Sequence, residues 1–256
     1  MILTDTHTHL YAKQFNDDIN TVIKNCIDKG IERLFLPNID SSSIEGMMEL
    51  GKKYPNNCFP MMGLHPTSVK ENYKEELVLV EEWLNKHQFC AVGEIGIDLY
   101  WEQHLLKEQQ DAFRFQIELA KKHNLPFVIH CRDSFDEIFE ILDKLNDDKM
   151  RGIFHCFTGN VEQANHIINY GDFKIGIGGV VTFKNSGLDK TVEQIDLKHL
   201  VLETDSPYLA PAPYRGKRNE STYLYNIAEK VADIYNLTIE EVAEITTKNS
   251  KQVFGF

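Results

Sequence analysis

The sequence predicts a (β/α)8 TIM-type barrel, an α/β fold, from three observations. Short apolar, β-branched runs alternate with helix-spaced stretches along the whole chain. About eight such units of roughly 30 residues match the ~250-residue length usual for this barrel, and the chain has 256. Polar residues able to do chemistry close one apolar run after another, and the C-terminal ends of the strands are where a barrel gathers its chemistry. Strand counting alone leaves a doubly wound open sheet as the alternative.

The strand candidates are ILTDTHTHL (2–10), IERLFLP (31–37), CFPMMGLHP (58–66), FCAVGEIGI (89–97), LPFVIHC (125–131), RGIFHCF (151–157), DFKIGIGG (172–179) and HLVLETDSP (199–207). Helical spacing is clear in three of the connections. Ile19, Val22, Ile23, Cys26 and Ile27 carry it in the first, Leu105 to Ala120 in the second, and Phe135, Ile138, Phe139, Leu142 and Leu145 in the third. After the last strand, Leu224, Ile227, Ala228, Val231 and Ala232, then Ile239, Val242 and Ala243, predict two closing helices. No proline- or glycine-rich linker, low-complexity tract or composition shift interrupts this rhythm, so a single domain over residues 1–256 is expected.

Composition narrows the class. A hydrophobic content of 42% supports a substantial core, and no apolar run approaches the roughly 20 residues that cross a bilayer. A core strand so close to Met1 leaves no room for a signal peptide, so a cytoplasmic protein without a membrane partner is expected. The five cysteines are widely spaced and form no CxxC pair, which argues for small buried groups, not a disulfide framework or thiolate zinc site. Against 27 basic residues stand 39 acidic ones, a net charge of −12 that argues against a general phosphate-backbone binder. Much of the acid sits in pairs such as Asp17-Asp18 and Glu81-Glu82 on helix-like surfaces, so a local basic site remains compatible.

His7 and His9 close the first strand, and alternation places them on one face with Leu3 and Asp5. His65 closes the third strand, Glu94 the fourth, His130 the fifth, His155 the sixth and Asp205 the eighth. Four imidazoles and two carboxylates (His7, His9, His130, His155, Glu94 and Asp205) exceed the three protein ligands of one catalytic tetrahedral ion. They suit two divalent ions with one carboxylate between them. Glu94 is central in strand order and flanked by Gly93 and Gly96, so it is expected to bridge, with Asp5 and Glu203 as candidates to orient the ligands. His87, His104, His123, His166 and His199 lack such company and are expected to be structural or at the surface. Cys131 and Cys156 each follow a ligand and should turn away from the barrel axis. The glycine-rich KIGIGG (174–179) lacks the lysine and hydroxyl of a phosphate-binding loop and reads as close backbone packing.

In chain order, DTHTHL, GLHP, GEIGID, VIHCRDS, FHCFTG, ETDSPYLAP and RGKRNE resemble the TatD family of metal-dependent hydrolases in the amidohydrolase superfamily. The closing KNSKQVFGF is also similar, so the resemblance covers essentially the whole chain. It implies a TIM-type barrel and an exonuclease-type deoxyribonuclease that cleaves DNA phosphodiesters with a hydroxide held at a binuclear divalent-metal centre. Zn, Mn, Mg, Fe and Co all suit such a site. The family's metal positions fall on His7, His9, Glu94, His130, His155 and Asp205, with Glu94 and Asp205 also catalytic. His65 and Arg132 are expected to contact the scissile phosphate, and Arg215 and Arg218, with Lys217, a neighbouring one. Tyr100 and Trp101 could offer stacking surfaces to unpaired bases, so single-stranded DNA or DNA ends are the expected partners. The family's proline after RNE is Ser221 here, which affects the local loop. The same barrel can host ester, amide or aminoacyl hydrolysis of a smaller substrate, and the acidic surface suits that alternative.

Overall fold

The computed structural model describes residues 1–256. Its strands are β1 (Leu3–Asp5), β2 (Ile31–Pro37), β3 (Cys58–Met61), β4 (Val92–Asp98), β5 (Phe127–Arg132), β6 (Gly152–Phe154), β7 (Phe173–Ile177) and β8 (Leu200–Leu202). All pair in parallel, in two ladders ordered β1-β2-β3 and β4-β5-β6-β7-β8. Bridges between Met62 and Val92 and between Thr8 and Ser206 join the ladders on both sides. Gly93 N–H donates to Met62 O at 3.0 Å, and Asp205 N–H donates to His7 O at 2.9 Å. Eight strands therefore close on themselves, which excludes the doubly wound open sheet.

Helices α1 (Ile19–Asp28), α4 (Leu106–His123), α5 (Phe135–Leu145), α8 (Leu224–Tyr235) and α9 (Ile239–Phe254) lie where apolar spacing places them. Four more, α2 (Ile44–Lys53), α3 (Tyr73–Lys86), α6 (Val161–Asn169) and α7 (Leu188–Val192), fill the remaining connections. α6 and α9 begin with reciprocal capping boxes, Asn160 with Gln163 and Thr238 with Glu241, which satisfy the first free backbone N–H groups. No helix is long and apolar enough to cross a membrane.

Two apolar layers hold the barrel. The outer one packs strand residues such as Leu34, Ile95, Ile129 and Ile175 against Ile23, Phe113, Ile138 and Ile227 of the helices. A smaller one fills the interior near the strands' N-terminal ends with Phe35, Met61, Ala91, Val128, Ile153, Val201 and Val253. The ladders are shorter than the apolar runs predict: β1 stops at Asp5 and β8 at Leu202, while the chain continues across the barrel mouth. Asp205 (φ 56°) and Cys156 (φ 47°) lie in the left-handed region just there, where the chain leaves strand geometry to aim side chains inward.

Candidate metal centre

At the mouth, the chain brings His7, His9, His65, Glu94, His130, His155 and Asp205 to one point. Glu94 is 2% exposed and lies at the middle. Its Oε2 faces His7 Nε2 at 3.1 Å and His9 Nε2 at 3.6 Å. Its Oε1 faces His130 Nδ1 and His155 Nε2, both at 2.8 Å, and His65 Nε2 at 3.4 Å. Asp205 Oδ1 completes the first side, 3.8 Å from His7 Nε2 and 3.5 Å from His9 Nε2. One carboxylate thus stands between two donor groups, one on each oxygen.

The donors fit divalent cations. His7 Nε2 and His9 Nε2 lie 3.3 Å apart, and His65 Nε2 and His130 Nδ1 3.2 Å apart. Lone pairs held that close repel unless a proton or a cation lies between them, and imidazole with carboxylate is a donor set that borderline and hard divalent ions accept. His7, His9 and Glu94 form one compact group, and His65, Glu94 and His130 another. His65, expected to touch substrate, therefore sits among the donors.

Local structure explains the convergence. Gly96 has φ 144°, and a Cβ there would lie 2.0 Å from His130 O. Glycine lets β4 press against β5, so that Glu94 and Asp98 both reach His130. Asp98 Oδ2 holds His130 Nε2 at 2.8 Å, while Oδ1 accepts the backbone N–H of Tyr100 at 3.0 Å and Trp101 at 2.8 Å. Tyr11 Oη lies 2.8 Å from His9 Nδ1 and also donates to Pro37 O. The sequence reading missed both partners. Asp98 continues the period-two face that begins with Glu94, and Tyr11 continues the one through His7 and His9, which is the signal that could have found them.

Glu203 meets its expectation: its Oε1 lies 3.3 Å from His155 Nδ1 and accepts the N–H of Cys156. Asp5 does something different. Its carboxylate accepts Thr204 N–H at 2.9 Å, Thr204 Oγ1–H at 2.6 Å and the His7 N–H at 3.4 Å, so it fastens the two strand ends together without touching a ring. Ser221 is fully buried, with Oγ 3.1 Å from Thr8 Oγ1, an anchor that proline would not supply.

The electrostatics are those of a crowded buried site. Burial pushes the Glu94 carboxyl up, but the neighbouring His155, His65 and His7 outweigh it and hold the acid well below the usual range. Burial also opposes charge on His155, yet Glu94 and Glu203 raise it well above an ordinary imidazole. For Asp205, burial is outweighed by the His9 hydrogen bond and the charges of His155 and His7, so it stays ionised. Burial pushes the thiols of Cys131 and Cys156 up to about 12, so neither offers a thiolate at neutral pH. Both border the cleft; Cys131 also packs against the outer apolar layer as alternation predicts, while the left-handed turn at Cys156 takes that residue off the alternating pattern.

The cleft above the donors measures about 1030 Å3. Arg132 lines it, with its guanidinium 4.1 Å above the Tyr100 ring and 5.9 Å from Trp101. Arg215 and Arg218 do not line it, contrary to expectation. Arg218 gives both terminal nitrogens to Asp18 at 2.8 and 2.7 Å, also meets Glu220 and Gln14 O, and covers Phe15. Arg215 lies 4.0 Å over Phe183. Elsewhere, His166 stacks on Phe139 and holds Asp143, and His87 stacks on Trp83, as structural histidines do.

A closed (β/α)8 barrel with imidazoles gathered around a shared buried carboxylate is the frame of a metal-dependent hydrolase. The family described as TatD related DNase matches residues 4–255. The chain is 37% identical to the uncharacterized metal-dependent hydrolase YabD of Bacillus subtilis (strain 168), with 99% of both chains covered. It is 30% identical to the uncharacterized metal-dependent hydrolase YcfH of Escherichia coli (strain K12), with 99% of this chain and 96% of that one covered. Among solved structures, YJJV, a TatD homolog from Escherichia coli K12, superposes with a TM-score of 0.93 at 24% identity, covering 99% of this chain and 98% of that one. An uncharacterized amidohydrolase from Saccharomyces cerevisiae does so at 0.84 and 17%, covering 99% and 100%; these two likenesses speak to the fold. The chain belongs to the TatD family of metal-dependent hydrolases.

Proposed function

We propose that the protein hydrolyses phosphodiester bonds of DNA and takes unpaired strands or strand ends. The observation that carries this reading is the rim of the cleft. Tyr100 and Trp101, 53% and 68% exposed, stand beside Arg132 and line the same cleft as the donor groups. Large exposed aromatics cost solvation unless something covers them, and a base stacked on such a platform gains ~1–3 kcal/mol. A guanidinium next to that platform suits the phosphate that accompanies each base.

Two divalent cations fit the reading. His7, His9 and Asp205 would hold one on Glu94 Oε2, and His130 and His155, with His65 nearby, the other on Glu94 Oε1. Bound there, they would bring the pKa of water toward neutrality and neutralise charge on the phosphoryl oxygens. Ionised Asp205 takes a proton from the attacking water as its oxygen bonds to phosphorus. The opposite P–O ester bond breaks, and the leaving oxygen is protonated from solvent. Arg132 fixes the phosphate and the aromatic pair fixes the base, so the ester is presented in one orientation.

The alternative of ester, amide or aminoacyl hydrolysis draws on the net charge of −12 and on the commitment of Arg218 to carboxylates. End-labelled single-stranded and blunt duplex oligonucleotides, incubated with Mg, Mn, Zn and Co in turn, decide between the two. Metal-dependent release of mononucleotides, faster from single strands, is expected. Turnover confined to ester or amide panels would replace DNA with a small substrate.

A further inference from the structure

We propose that Glu203 is a positioning residue for both cation sites at once, a role that rests on the two-cation reading above. Behind the centre, His155 Nδ1 has only the 3.3 Å approach of Glu203 Oε1, and two buried polar atoms have no partner at all: His7 Nδ1 and Glu203 Oε2. The last is the one buried carboxylate oxygen in that state. His7 and His155 stack with ring centroids 3.7 Å apart and planes 12° apart, and both face Glu94 with the same nitrogen, Nε2. One donor atom from each of His7, His155 and Glu203 lies within 4.8 Å of the others.

The chemistry follows from the imidazoles. Each turns Nε2 to Glu94, His7 toward Oε2 and His155 toward Oε1. A neutral imidazole that offers Nε2 as a lone pair carries its hydrogen on Nδ1, and a buried N–H needs an acceptor. Glu203 Oε1, 3.3 Å away, serves His155. Oε2, buried without a partner in the same group, is left to serve His7 Nδ1 through one bridging water. His7 belongs to the first donor group and His155 to the second, so a single carboxylate fixes a ligand of each.

The barrel makes room for this acid deliberately. Glu203 is fully buried, and a Cβ on Gly176 would fall 2.4 Å from its Oε2. Gly176 of KIGIGG therefore houses the carboxylate, which is a use for that glycine beyond backbone packing. The other positioning contacts are narrower: Tyr11 touches His9 alone, and Asp98 touches His130 alone among the imidazoles.

Titration of chelator-stripped protein with Zn2+ against a coloured indicator, paired with circular dichroism and melting of the stripped protein, tests the idea. Wild type is expected to bind two ions; fewer would defeat the two-cation reading itself. With two ions in wild type, folded Glu203→Gln should weaken both sites by about 10–100-fold, whereas Tyr11→Phe and Asp98→Asn each weaken one. Gly176→Ala, which keeps the acid but displaces it, should repeat the double loss and decides the matter if Glu203→Gln fails to fold. Unchanged affinities, or a loss confined to one site, would overturn the shared role.

Discussion

The two ends of this barrel are built from the same strands and obey opposite rules. Near the floor, Val128, Ile153 and Val201 pack with Phe35, Met61 and Val253, and Phe254 stacks on Phe35 with centroids 3.9 Å apart. Two residues further along each strand, on the same inward face, stand His130, His155 and Glu203. The floor is apolar and closed by the C-terminal residues. The mouth buries acids and imidazoles, some without partners. Floor residues lower the free energy of the fold, whereas the mouth holds an arrangement that folding alone does not favour and a bound cation would.

The largest contrast should come from Glu94→Ala. It removes the group common to both donor sets, so kcat/KM is expected to fall by at least about 1000-fold, roughly 4 kcal/mol, with loss of both ions. Metal analysis after dialysis and steady-state assays check this. Retained ions and turnover would break the assignment of the mouth. Phe35→Ala is the mirror experiment. A buried floor aromatic cut to alanine costs about 3–5 kcal/mol of stability, roughly 10 °C in Tm, while ion binding at low temperature stays as in wild type. Thermal melts and metal titrations on one sample separate the two outcomes. A variant that lost metal without losing stability would dissolve the division between floor and mouth.

A smaller effect tests the rim. Trp101→Ala should raise KM for single-stranded DNA by about 5–100-fold and leave kcat nearly unchanged, because stacking contributes to binding before and during reaction alike. Hydrolysis of a simple aryl phosphodiester, which lacks a base to stack, should not change. An equal loss on both substrates would show that Trp101 shapes the loop instead of holding a base.

Most of the fold was legible because strand polarity and helix periodicity are local. The candidate donors at strand ends were legible for the same reason, since His130 and His155 each terminate an unbroken apolar run. Harder to see were side chains whose role depends on what another strand places opposite. Asp98 reads as the end of GEIGID until His130 Nε2 is seen 2.8 Å away, and Tyr11 reads as a loop aromatic until it meets His9. Arg218 failed in the opposite direction. A dense basic run signals phosphate only if its charges are free, and sequence does not reveal that Asp18 faces it across nearly the whole chain.

Arg218 also supplies the smallest prediction, and it marks where the mouth stops. The ion pair with Asp18 is partly exposed, so Arg218→Ala should cost about 0.5–1 kcal/mol of stability and leave KM for DNA unchanged. Its hydrogen bond holds the Asp18 carboxyl below its ordinary 3.8. A depressed acid contributes stability that is complete above that ordinary value and disappears as pH falls through the lower one. The difference between wild type and variant in urea melts should therefore be present at pH 7 and shrink at strongly acidic pH. A tenfold rise in KM, with no difference in the melts, would instead mean that the guanidinium leaves Asp18 to meet substrate, and the mouth would extend to the loop before α8.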